Sequence, residues 1–198
     1  MCTHEATVSD EASLVARILQ GLGDKCCITI IGMAGAGKST VGRSVAEALG
    51  WAHVDSDHLI EATYGVRLQR VTDALDKDGF LDVESRVISS IRMQRTVLST
   101  GGSVVYRTEA MRALSKLGPI VHLDVPLDII LERIARKPDR GLAIAPGQTV
   151  KDLFLERERL YRRWATCSVL VDDRPVQVSV GAVLDALATL ADKKVLPS

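Results

Sequence analysis

Gly32-Met33-Ala34-Gly35-Ala36-Gly37-Lys38-Ser39 spells the pattern G-x-x-x-x-G-K-S in full, and the residues on either side of it decide the fold. Immediately before it, Cys26-Cys27-Ile28-Thr29-Ile30-Ile31 is a short β-rich apolar run of the kind expected for a central parallel strand buried on both faces. Immediately after it, residues 38–49 place Val41, Val45, Ala48 and Leu49 on one helical face and end at Gly50. Strand, loop and helix in that order make the motif a specific signal for a phosphate cradle, where a chance glycine-rich turn would lack the context. The glycines let backbone N–H groups wrap the β- and γ-phosphates, and the helix N-terminus adds its positive dipole. Lys38 then bridges those phosphates while the Ser39 hydroxyl ligates Mg²⁺. The nucleotide-binding candidates are Gly32, Gly35, Ala36, Gly37, Lys38, Ser39 and Thr40, with ATP and Mg²⁺ as the implied cofactors.

Further strand-like runs occur at 51–54, 96–99, 120–123 and 168–171, each separated from the next by a helical pattern. Such alternation predicts an α/β domain with a parallel sheet and helices on both faces. Leu14, Val15, Ile18 and Leu19 keep helical spacing over 10–20 and mark a helix packed on the main domain. A shorter helix around 68–75 precedes a longer one carrying Phe80, Val83, Val87, Ile88 and Ile91. The segment 136–148 has two prolines, two glycines and no apolar period, so it reads as an exposed lid between helices. The expected organisation is an N-terminal helical extension over 1–24 and one kinase domain over 25–198. Within that domain a substrate lobe spans about 57–95 and the lid about 136–148.

The chain has 198 residues, 46% of them hydrophobic, enough for one core. Lysine plus arginine (25) equal aspartate plus glutamate (25), so there is no broad basic field for nucleic acid. The polar, acidic start does not read as a signal peptide, and the longest apolar stretch falls well short of the ~20 residues that span a bilayer. Adjacent Cys26 and Cys27 suit neither zinc spacing nor a disulfide framework and read as buried reduced thiols. A cytoplasmic, monomeric protein acting on a small molecule, without membrane or nucleic-acid partners, is the expectation.

Two other groups of residues carry chemistry. Asp55-Ser56-Asp57 follows the second strand, at the sheet edge where open α/β folds bind ligands. One carboxylate can hold the magnesium shell while the other faces an acceptor hydroxyl; helix capping is the plainer use of either. Arg133, Arg136, Lys137 and Arg140 lead into the lid, and Arg157, Arg159, Arg162 and Arg163 lie on the next helix. Most read as solvated, but phosphoryl transfer needs mobile cations over the γ-phosphate, and Arg140 is the best placed.

With Thr100-Gly101-Gly102 after the third strand and Leu160-Tyr161 on the helix after the lid, these motifs fall in the order of the shikimate kinase family, which the chain resembles from about 26 to 175. The resemblance implies a five-stranded parallel sheet in the nucleoside monophosphate kinase manner, with a lid and substrate lobe that close. It also implies roles: Lys38 and Ser39 at the nucleotide, Asp55 in the magnesium shell, Asp57 on the acceptor hydroxyl, and Gly101 and Gly102 at the substrate. Arg133 and the Asp173-Arg174-Pro175 turn would sandwich adenine, Arg140 would be the lid arginine, and Arg157 would bind a substrate carboxylate.

The acceptor site departs from that pattern. Where the family places an arginine after a phenylalanine, this chain reads Phe80-Leu81-Asp82-Val83-Glu84. The glycine triplet is Gly101-Gly102-Ser103, and Arg140 is followed by Gly141-Leu142 where the family has proline. Either acid, Asp82 or Glu84, facing the pocket beside Arg157 would pair the ammonium and carboxylate of an amino acid, and Asp82 is the candidate site residue. Homoserine is accordingly the expected acceptor, with shikimate the alternative. A nucleotide-hydrolysing regulator is the reading from another class; no Asn/Thr-Lys-x-Asp guanine motif accompanies the P-loop.

Overall fold

The computed structural model describes residues 3–136 and 147–195. Five parallel strands, β1 (Cys27–Ile31), β2 (Ala52–Asp55), β3 (Thr96–Ser99), β4 (Ile120–Asp124) and β5 (Cys167–Leu170), form one sheet in the order β2-β3-β1-β4-β5. β1 and β3 are buried along their whole length, as central parallel strands covered on both faces are. Pairing sets Ile28 beside Val97, Ile30 beside Val121 and Asp55 beside Ser99, so every strand ends at the same edge.

The helices are α1 (Thr3–Leu22), α2 (Lys38–Leu49), α3 (Ser56–Tyr64), α4 (Leu68–Ala74), α5 (Lys77–Ser90), α6 (Thr108–Leu117), α7 (Leu127–Ala135), α8 (Val150–Trp164) and α9 (Val176–Val195). α1 begins earlier than the expected 10–20 because residues 3–9 are mostly polar and give no apolar period. It packs along α9, which covers α2 and β5, and Gly21 lies so close to Ala191 that no side chain fits between them. A small separate core of Ile60, Val71, Phe80 and Val87 holds α3, α4 and α5 together. No described helix is long and apolar enough to cross a membrane. Cys26 and Cys27 are buried and in no disulfide among the described residues, and burial pushes the Cys27 thiol up.

Strand β4 is entered through Gly118, whose φ of 154° leaves an added Cβ in collision with the Cys27 carbonyl oxygen. Gly118→Ala should therefore cost on the order of 2–4 kcal/mol, from backbone strain plus a clash that backbone cannot relieve. Gly181, inside α9 with open space around it, is the control. Gly181→Ala should gain about 0.5–1 kcal/mol in the same chemical denaturation series.

Candidate active site

The loop from Gly32 to Gly37 leaves β1 and turns into α2. Its first helical N–H groups are uncapped by any side chain, because Gly37 at the N-cap has none to offer. Lys38 is buried and folds back so that Nζ donates to the Gly32 and Met33 carbonyl oxygens at 2.9 and 2.8 Å. Beneath it, Ser99 Oγ donates to the Lys38 carbonyl at 3.0 Å and lies 3.0 Å from His53 Nε2, tying β3 to the start of α2.

The Asp55/Asp57 pair straddles the end of β2 and the first turn of α3. Asp55 does two things at once. Its Oδ1 accepts from the Asp57 N–H at 3.1 Å, the capping use, and its Oδ2 accepts from Ser39 Oγ at 2.6 Å. Ser39 and Asp55 thus present two hard oxygen donors side by side. Among the described residues no cluster of three acids, histidines or cysteines forms a complete metal cage. This donor set fits Mg²⁺, which keeps phosphate and water oxygens in its octahedron. Asp57 has its carboxyl raised by burial and by the Asp55 charge, against the lowering pull of Lys38.

Three elements then converge on Gly101 and Gly102. The Gly101 N–H donates to Ser56 Oγ at 2.9 Å. A Cβ on Gly101 would stand 2.5 Å from Glu84 Oε1 and 3.3 Å from Asp57 Oδ1, which puts both carboxylates against one backbone position. Tyr161 Oη donates to the Gly102 carbonyl at 2.7 Å, and its ring stacks on His122 at 5.1 Å. Arg157 is 3% exposed, and its Nη1 lies 3.0 Å from where a Gly102 Cβ would be. Its Nε donates to Tyr106 Oη at 3.3 Å, and no ion pair involving it occurs among the described residues.

On the other side of the P-loop, a cavity of about 350 Å³ is lined by Gly35, Gly37, Thr40, Arg133 and Arg174 among others. Arg133 donates to the Gly35 carbonyl, the Asp172 carbonyl and Asp173 Oδ1, while Arg174 Nε pairs with the Asp172 carboxylate. The two arginines expected to flank adenine therefore line one cavity. Arg140, Gly141 and Leu142 lie outside the described residues, as does most of the expected lid.

Asp82 is where the sequence reading fails. Its carboxylate is exposed and takes Arg107 Nε at 2.8 Å, so it offers the pocket nothing. The acid that turns inward is Glu84, two positions on, which is 2% exposed and accepts from Ser103 Oγ at 2.8 Å. It shares the buried face of α5 with Leu81 and Ile88, and that helical spacing was the available signal. Tyr106 carried no comparable mark, and Ser103 and Tyr161, though they stood in the glycine triplet and the Leu160-Tyr161 motif, were given no role.

A P-loop with an adjoining serine–aspartate oxygen pair, a cavity lined by Arg133 and Arg174, and a buried arginine set against Gly102 define an ATP-dependent small-molecule kinase, a phosphotransferase. The family model for shikimate kinase matches residues 34–188, and the chain belongs to the shikimate kinase family. A relative named shikimate kinase from Bordetella avium is 32% identical over 193 residues, covering 94% of this chain and 92% of the relative. One of the same name from Chromohalobacter salexigens is 34% identical over 168 residues, covering 83% and 93%. The solved structure of shikimate kinase from Acinetobacter baumannii in complex with shikimate superposes with a TM-score of 0.74 at 30% identity, covering 86% of this chain and 96% of that one. These names overturn homoserine as the expected acceptor in favour of the alternative. Of the two acids considered for an ammonium, Asp82 is paired outside the site and Glu84 is the one that turns inward.

Glu84 also gives the site a titration near neutrality. Burial, opposed by the Ser103 hydrogen bond and assisted by the Asp57 charge, pushes its carboxyl from an ordinary 4.5 up to about 7. The folded protein then holds this proton more tightly than the unfolded chain does. The Glu84 contribution to stability is complete below pH 4.5 and is lost as pH rises to about 7. Glu84→Gln should flatten the stability profile across that window in denaturant titrations, and an unaltered slope would mean that Glu84 titrates normally in the fold.

Proposed function

We propose that the chain transfers the γ-phosphoryl group of ATP to a hydroxyl of shikimate, a step in aromatic amino-acid biosynthesis. The observation that carries the acceptor is Arg157, a buried cation in no close ion pair among the described residues, set against Gly102, with Glu84 the acid that feels its charge. Burying a charge without a partner is costly unless a ligand supplies one, and a carboxylate matches a guanidinium in shape and charge.

In this reading the α2 N-terminus and Lys38 hold the phosphates, and Arg133 and Arg174 hold the base. Ser39 and Asp55 would hold Mg²⁺, which supplies charge neutralisation on the phosphate oxygens when bound. Asp57 accepts the acceptor's hydroxyl proton as that oxygen bonds to the γ-phosphorus and the bond to the β-phosphate oxygen breaks, releasing ADP. Its raised carboxyl makes it the stronger base. Gly101 and Gly102 bring backbone against the acceptor, Arg157 takes its carboxylate, and Arg140 brings charge from a lid over 136–148. The lobe at 57–95 closes from the other side, and residues 1–24 stay outside the chemistry. The enzyme acts as a cytoplasmic monomer, a compartment that suits reduced Cys26 and Cys27.

A coupled ADP-release assay with shikimate tests this. ADP release that depends on shikimate is expected, whereas release indifferent to any acceptor would favour a nucleotide-hydrolysing regulator, and a clear preference for L-homoserine would overturn the acceptor assignment. Lys38→Met should abolish turnover with the fold retained. Asp57→Asn should lower kcat by at least about 10²-fold with a smaller effect on the KM for ATP.

A further inference from the structure

On α5, Lys77, Leu81, Glu84 and Ile88 fall on one helical face. Leu81, Glu84 and Ile88 are buried, and Lys77 emerges at the N-terminal end of that stripe. Its ammonium stands over the Tyr106 ring, 5.1 Å from the centroid, and Arg157 Cζ lies 5.3 Å from the same centroid. One ring therefore gathers two cations, one from the rim and one from the buried floor. Tyr106 also occupies Arg157 Nε, while Nη1 stands against Gly102.

The acids near Lys77 are committed elsewhere. Asp76 Oδ1 caps the helix by accepting from the Gly79 N–H at 2.7 Å. Asp78 and Asp82 both bind Arg107, at 3.0 and 2.8 Å. Glu156 accepts from Gln148 at 2.7 Å and faces the Tyr106 hydroxyl. Lys77 itself makes no ion pair among the described residues, so its charge is held only by a ring face, an interaction weak enough for its flexible stem to leave.

We propose that Lys77 is a specificity-determining residue that, with Tyr106 as spacer, supplies the second cation for the acceptor's carboxylate beside Arg157. The inference rests on the acceptor reading above. Leu81 places no charge in the middle of the stripe, and a carboxylate set against Arg157 would draw Lys77 inward to a charge-assisted hydrogen bond.

The test is steady-state kinetics of wild type, Lys77→Met and Lys77→Arg on shikimate, with shikimate methyl ester as the uncharged comparator, read as substrate or competitive inhibitor. Lys77→Met should raise the KM for shikimate on the order of tenfold with kcat and the KM for ATP nearly unchanged, and Lys77→Arg should recover most of the loss. The ester should not distinguish the three proteins. An unchanged KM in Lys77→Met, or an equal loss with acid and ester, overturns the proposal alone. A wild type inactive on shikimate overturns the acceptor reading and this inference with it.

Discussion

Everything at the catalytic edge depends on how tightly the chain turns between β1 and α2. Gly32 has a φ of 147°, and a Cβ there would stand 2.9 Å from the Leu123 carbonyl oxygen of the adjacent strand β4. With that contact the loop can coil over its own lysine, and Lys38 closes it by donating to Gly32 and Met33. The result is a ring of backbone N–H groups at a helix N-terminus with a cation beneath, the geometry that attracts phosphate. A bulkier loop would lift away from β4 and take α2 with it, and Ser39 would then lose Asp55.

The parallel sheet multiplies the value of that one turn. Because β1 lies between β3 and β4, the loops after all three strands rise around the same crevice. β3 delivers Gly101 and Gly102, whose lack of side chains admits Glu84, Asp57 and Arg157 to within a few ångströms of backbone. β2 delivers Asp55 and Asp57 from the far side, and the α8 residues Arg157 and Tyr161 reach back to Gly102. The P-loop and the cluster around Gly101 and Gly102 thus meet at one edge of the sheet.

What was legible in the sequence is what local pattern encodes. The P-loop's strand and helix, the five strand runs and the Asp55/Asp57 pair depend on neighbours a few residues away, and they appear within a residue or two of where the pattern puts them. Arg133 and Arg174 lie far apart in the chain, and it was family resemblance that linked them to one cavity. The fates of Asp82 and Glu84 were less accessible. They differ by two positions, which on a helix is more than half a turn, so one meets Arg107 in solvent while the other is sealed against Ser103. Letting either acid stand as the one facing the pocket led to an ammonium site. The face was recoverable from Leu81 and Ile88; the partners, distant in sequence, were not.

Charge coupling ties the two clusters together. Burial raises the Asp57 and Glu84 carboxyls, the Asp57 charge raises Glu84 further, and Lys38 lowers both. Arg157 adds its own lowering pull on Glu84. Asp57 and Glu84 both stand against the single backbone position of Gly101, so one lysine and one arginine balance two acids across the end of β3. A change of charge at either cluster is therefore felt at the other.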